Sequence, residues 1–115
     1  MHSLGMAHRD LKPENIMLVS QDEDSDIALI DFGLSRTFGP NEKCTEPYGT
    51  LCYVAPEILL LKPYDKSVDC WSIGIIIYLL LGRFLPFDGH SDREISQKTI
   101  RQEVSFNNPV WSNVP

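Results

Sequence analysis

No cysteine pair, no long apolar run and no surplus of positive charge occurs in this sequence, and each lack removes a class of protein. The three cysteines, Cys44, Cys52 and Cys70, are odd in number and form no CxxC pair. They suit neither a disulfide framework nor a zinc site, so an intracellular, reducing compartment is expected, with the cytoplasm as the default. The longest uncharged run, residues 70–82, is 13 residues long and is bounded by Asp69 and Arg83. A bilayer span needs about 20 apolar residues, so no membrane-crossing helix is expected. No basic region followed by an apolar one stands near Met1, so no secretory signal is read there. Lys and Arg number 10 against 16 Asp and Glu, a formal charge of −6. That balance argues against a broad nucleic-acid surface and suits basic peptide partners. Repeats and low-complexity stretches are absent as well.

What is present fits one modest domain: 115 residues, 43% of them hydrophobic. The densest chemistry lies in His8-Arg9-Asp10-Leu11-Lys12-Pro13-Glu14-Asn15. Two acceptor groups, two cations and a stiff proline within eight residues suit neither a core nor one polar face of a helix. Pro13 also argues against a continuous helix or a central strand. Taken singly, each of these residues reads most simply as part of a solvated, charged turn.

Two short runs rich in β-branched residues follow, 16–19 and 27–30, separated by the acidic, turn-forming stretch 20–26. They predict a β-hairpin. Its antiparallel strands would put Asn15, at one strand's start, and Asp31, at the other's end, at the same end of the hairpin. Asp22, Asp24 and Asp26 alternate as calcium-loop ligands do. A loop starting at Asp22 would need glycine sixth and glutamate twelfth, and those positions hold Ile27 and Gly33. A solvated loop is the expectation.

About twenty residues from Gly33 to Tyr53 carry no periodic pattern, which inside a compact domain points to a functional or mobile loop. Pro56 fits the first position of a short helix with Glu57 in its first turn. Residues 67–82 predict a helix that is apolar nearly all round and therefore buried, with Ser67 or Asp69 as N-cap and Gly82 as its stop. The Ile75-Ile76-Ile77 triplet also suits a strand, and length and capping decide for the helix. Residues 92–103 predict an amphipathic helix, 106–115 an extended tail, and 1–7 the end of a helix.

In combination, HRDLKPEN at 8–15, DFG at 31–33, GTLCYVAPE at 49–57, DCWSIG at 69–74 and PFDG at 86–89 resemble the C-terminal lobe of a protein kinase. The resemblance covers essentially the whole chain, in the family's order. Lys12 within DLKPEN is similar to the serine/threonine class. SQDEDSD, YDKSVDCWSIG and the late PVW most resemble the calcium/calmodulin-dependent and calcium-dependent kinases. The fold implied is mainly α with a short β-hairpin, a partial kinase domain over residues 1–115.

The resemblance implies a role for each matching residue. Asp10 would accept the proton of a Ser or Thr hydroxyl on a protein substrate, and Lys12 would sit against the γ-phosphate of ATP. Asn15 and Asp31 would hold Mg²⁺, and Met17 would pack beneath the adenine. Glu14 would contact a basic residue of the substrate or remain a solvated carboxylate. Arg9 is implied to pair with a negative charge on the activation loop, residues 34–54. Thr50 matches the substrate-adjacent threonine that contacts Asp10 and Lys12, which leaves Thr45 as the phosphosite candidate. Glu46 is read ahead of it, as a built-in charge for Arg9. His8 and Phe32 resemble the lower hydrophobic spine, and Asp69 is expected to hold the backbone of the His8–Asp10 turn.

The family's Gly-rich phosphate loop, its lysine strand and its αC-type glutamate have no match in these residues. Nor does the arginine that pairs with the glutamate of APE, here Glu57. The expectation is therefore part of a serine/threonine kinase whose N-lobe and last C-lobe helices are missing, inactive as an isolated chain. Calmodulin or calcium control would act only through other segments. The alternative is a non-catalytic, kinase-derived interaction module.

Overall fold

Two short antiparallel ladders frame the charged stretch in the computed structural model, which describes residues 1–115. Strand β1 (Met6–Ala7) pairs with β4 (Arg36–Thr37), Met6 opposite Thr37 and Ala7 opposite Arg36. Strands β2 (Ile16–Leu18) and β3 (Ile27–Leu29) form the expected hairpin, with Ile16 opposite Leu29 and Leu18 opposite Ile27. The β1–β4 ladder corrects the reading of residues 1–7 as a helix end. One 3₁₀ turn, His2–Leu4, is all the helix there, and Gly5 reverses the chain in the left-handed region at φ 76°.

Three α-helices follow: α1 (Pro56–Leu59), α2 (Val68–Gly82) and α3 (Asp92–Arg101). Pro56 occupies the first turn of α1, where its missing N–H costs nothing. Helix α3 opens with a reciprocal cap: Glu94 N–H donates to Ser91 Oγ at 3.2 Å, and His90 N–H donates to Glu94 Oε2 at 2.9 Å. It ends two residues before the expected Glu103, because Gln102 is already extended. The main core joins Ala7, Phe38, Cys44, Val54, Ala55, Ile58, Tyr64 and Val68, so β1, the loop after β4, α1 and α2 meet behind the charged stretch. No helix is long and apolar enough to cross a membrane.

Helix α2 departs from expectation in two ways. Val68, Asp69, Ser72, Ile75, Ile76 and Tyr78 are buried, but Ile77 and Leu80 are 50% and 68% exposed. The surrounding elements supply one packed layer, so an all-apolar helix is covered on one side only. Gly82 is also not the left-handed stop; Arg83 takes that conformation, at φ 65°. Gly82 instead admits the tail, since a Cβ there would lie 2.7 Å from Trp111 Cζ2. The tail is not simply extended. Residues Pro109–Asn113 form a 3₁₀ turn capped by the Asn108 side chain, and Trp111 stacks obliquely on Tyr78 with ring centroids 4.5 Å apart.

Candidate active site

Residues 8–15 bridge β1 and β2, and α2 holds them from below. The Asp69 carboxylate, 1% exposed, accepts from His8 N–H at 2.8 Å and Arg9 N–H at 2.9 Å. The His2 ring meets the same carboxylate at 2.8 Å. Arg9 sits at φ 67°, a left-handed conformation costing about 1–2 kcal/mol in a non-glycine residue, which the two hydrogen bonds to Asp69 offset. His8 is fully buried. Asp10 N–H donates to its Nδ1 at 3.1 Å, so the network assigns the ring hydrogen to Nε2, which donates to the Ile30 carbonyl at 2.9 Å. The ring centroids of His8 and Phe32 are 5.0 Å apart, which ties this loop to the segment after β3.

The carboxylate of Asp10 is thereby aimed at a small polar cluster. Thr50 Oγ1 donates to Asp10 Oδ1 at 2.7 Å, and Lys12 Nζ donates to Thr50 Oγ1 at 3.0 Å. Lys12 Nζ is 3.8 Å from Asp10 Oδ2. Asn15, 5% exposed, donates from Nδ2 to the Asp10 carbonyl at 2.9 Å, which leaves its amide oxygen without a protein partner. Four of the residues singled out from sequence, Asp10, Lys12, Asn15 and Thr50, are thus in direct contact. Gly49 makes this possible: its φ of 132° is poorly open to other residues, and a Cβ would meet Val54 Cγ1 at 2.5 Å.

Asp31 lies at the same end of the hairpin as Asn15, where Ile30 N–H bonds to the Asn15 carbonyl at 3.0 Å. Its Oδ1 accepts from Gly33 N–H at 3.3 Å, and its Oδ2 has no protein partner. One amide oxygen and one carboxylate therefore remain open, with no cluster of three or more His, Cys, Asp or Glu around them. Such a pair suits a hard cation whose other ligands are phosphate and water oxygens, as for Mg²⁺, rather than an all-protein cage. Met17 is half exposed, on the hairpin face it shares with its cross-strand partner Ala28, while Leu18 and Ile27 lie exposed on the other face. Glu14 is exposed; its charge, after burial and together with Cys52, helps push the Tyr53 phenol up.

Arg9 is enclosed by the activation segment. Its Nε donates to the Leu34 carbonyl at 2.6 Å, and Nη1 donates to Glu46 Oε2 and Tyr64 Oη, each at 3.2 Å. Cys44 Sγ lies 3.7 Å from the same nitrogen, and the Tyr48 ring lies 5.0 Å from the guanidinium carbon. Burial works against the charge on Arg9, but its bonds to Tyr64 and Glu46 outweigh that and raise its pKa. The hydrogen bond from Arg9 in turn holds Glu46 below the usual carboxylate range. Arg36 reaches Glu46 at 4.0 Å and pairs with Glu42 at 2.7 Å. Thr45 is exposed and its hydroxyl has no partner; Glu57 forms no ion pair.

Several contacting residues escaped the sequence reading: His2, Leu34, Arg36, Cys44, Tyr64 and Ser72. Leu34 acts through its carbonyl, for which a sequence carries no signal. Tyr64, an aromatic with a polar tip in the charged stretch KPYDK, was the one with a cue.

The site thus combines an acid whose loop is held by a helix, a lysine and a threonine beside its carboxylate, and open oxygens at a hairpin end. The chain belongs to the protein kinase domain family, whose model matches residues 1–115. It is 48% identical over 114 residues to calcium/calmodulin-dependent protein kinase type 1 of Caenorhabditis elegans, covering 99% of this chain and 32% of the relative. A probable myosin light chain kinase of Dictyostelium discoideum is 49% identical over 115 residues, 99% of this chain and 29% of the relative. Calcium-dependent protein kinase 11 of Oryza sativa subsp. japonica is 46% identical over 113 residues, 98% of this chain and 19% of the relative. The chain therefore spans about a third or less of these relatives and groups with calcium/calmodulin-dependent and calcium-dependent serine/threonine kinases.

Proposed function

We propose that residues 1–115 supply the catalytic loop, metal ligands and activation segment of a serine/threonine kinase acting on proteins. The observation that carries this reading is the Asp10–Thr50–Lys12 cluster, with contacts of 2.7 and 3.0 Å, beside the open oxygens of Asn15 and Asp31. Asp10 accepts and orients the substrate hydroxyl proton. Lys12 offsets charge where the phosphoryl group passes, and Thr50 keeps both side chains in register. When bound, ATP supplies the phosphoryl group and Mg²⁺ offsets the charge on its phosphates; Asn15 and Asp31 would hold the cation. Met17 would meet the adenine and Glu14 a basic substrate residue. An all-binding role would not require Asp10, Lys12, Asn15 and Thr50 to be held together, so the module alternative is the weaker one.

The hairpin face around Met17 is bare, so ATP has no opposing wall within these residues. Transfer is expected not from them by themselves but from a chimera in which they replace the matching segment of the nematode relative. In that chimera, Asp31→Asn should weaken Mg²⁺-dependent ATP binding by about tenfold or more through loss of a charged ligand. Calorimetry with and without Mg²⁺ measures this. Equal Mg-ATP affinity in both proteins would remove Asp31 from the metal site.

Glu46, rather than a phosphate on Thr45, supplies the charge that Arg9 pairs with. Its folded-state pKa lies below the ordinary value, so the stabilisation is fully present above that ordinary value. It is lost as the pH falls through the depressed one. In the chimera, Glu46→Gln should lower activity while Thr45→Ala leaves it unchanged. Unchanged activity with Glu46→Gln and abolished activity with Thr45→Ala would reverse the assignment.

A further inference from the structure

Ser72 lies on the buried side of α2, three residues after Asp69, and is 7% exposed. That spacing brings the two side chains to one face of the helix. Asp69 holds the His8 and Arg9 amides, as described above. The Ser72 hydroxyl lies 2.8 Å from the Tyr53 carbonyl and 3.3 Å from that of Val68. A serine in a helix ordinarily back-bonds to the carbonyl four residues earlier, which here is Val68. With one hydrogen to give, Ser72 is closer to an acceptor outside its own helix. Tyr53 N–H in turn donates to the Thr50 carbonyl at 2.9 Å, and the Thr50 hydroxyl reaches Asp10. One turn of α2 thus carries an anchor for each side of the site, Asp69 for the catalytic loop and Ser72 for the turn at 50–53.

We infer that Ser72 is a positioning residue that fixes the turn at 50–53 against the catalytic loop, and with it the platform on which a peptide substrate lies. The inference rests on the kinase reading proposed above. The void between these parts, bordered by Asp10, Thr50, Tyr53 and Ser72, measures about 10 Å³. That is about the space of one water, and the 2.8 Å separation of the Ser72 hydroxyl from the Tyr53 carbonyl makes the contact direct. Without the hydroxyl, the Tyr53 carbonyl loses a buried partner.

Two measurements test this. In the 115-residue chain, Ser72→Ala should speed hydrogen exchange at the Tyr53 amide by about fivefold, the size of one neutral hydrogen bond, and leave the His8 and Arg9 amides unchanged. Ser72→Thr, which keeps the hydroxyl, should restore protection. In the chimera, Ser72→Ala should raise the KM for a serine peptide by about fivefold and leave the KM for ATP unchanged, with Ser72→Thr again restoring it. Ser72→Val, which fills the space without donating, should exceed Ser72→Ala in both assays. Unchanged exchange at Tyr53, equal loosening of all three amides, or parallel rises in both KM values would overturn the inference. A chimera that transfers no phosphate while Ser72→Ala still loosens Tyr53 alone would count against the kinase reading and for the hold of Ser72 on this turn.

Discussion

Asp10→Asn in the chimera lowers kcat for a serine peptide by about 10²–10⁴, the contribution of a positioned acid–base group. Asparagine keeps the shape of the side chain and an oxygen able to accept from Thr50 Oγ1, now 2.7 Å from the carboxylate. It loses the negative charge and the capacity to take a proton. Because Asp10 contributes orientation rather than apolar contact, the KM values for peptide and ATP should stay within about threefold, the pattern of an interaction made mainly in the transition state. Steady-state kinetics over a peptide and ATP matrix separates the two parameters. A fall in kcat of less than about tenfold would mean that Asp10 positions the loop and does not engage the reacting hydroxyl.

The second large effect falls on stability. Asp69→Ala strips acceptors from the His8 and Arg9 amides, both buried, and from the His2 ring. Leaving a buried donor unsatisfied costs about 1–3 kcal/mol, so the two amides together imply about 2–6 kcal/mol. Domains of this kind hold only about 5–15 kcal/mol in total, so a large share of the native chain would be lost. Arg9 adds to the loss, because its left-handed backbone would no longer be held by the bonds from Asp69 to its own amide and that of His8. Asp69→Asn keeps one amide oxygen as acceptor and should cost about half as much. Urea unfolding of the 115-residue chain measures both, the midpoint falling while the slope is retained. A shift worth under about 1 kcal/mol for the alanine variant would show that the turn at 8–10 holds itself.

What could be read from the sequence was what is local. The hairpin follows from two β-branched runs flanking an acidic turn. Pro56 marks α1 and the apolar run marks α2, but neither Ser67 nor Asp69 caps α2. Ser67 makes no side-chain cap bond, Asp69 turns to the His8 and Arg9 amides, and Asp65 Oδ1 accepts from Ser67 N–H at 2.9 Å. The β1–β4 ladder could not be read, because both are two-residue strands, Met6–Ala7 and Arg36–Thr37, brought together from far apart in the chain. The bridge between Cys44 and Tyr64 is of the same kind: each backbone N–H donates to the other's carbonyl at 2.8 Å, and neither residue lies in a strand. That bridge is what places Cys44 Sγ and Tyr64 Oη beside Arg9, which is why the cage around Arg9 was only partly foreseen.

The site divides in the same way. Residue chemistry and hairpin direction bring Asn15 and Asp31 to one end. Composition and spacing alone left Asp10 and Lys12 as parts of a charged turn, and only the resemblance to kinases gave them roles. The structure adds the geometry through Thr50, forty residues from Asp10 along the chain. The exposed side of α2 has a physical reason. An apolar run says that a helix can be buried on every side, not that partners for every side lie within the same stretch of chain.

The most direct test of the central claim is phosphate transfer by the chimera carrying residues 1–115, using radiolabelled ATP, Mg²⁺ and a basic serine peptide. Transfer onto serine is expected, disappearing with Asp10→Asn while Mg-ATP binding persists. A folded chimera that binds Mg-ATP and transfers nothing, or one whose transfer survives Asp10→Asn, would contradict that claim.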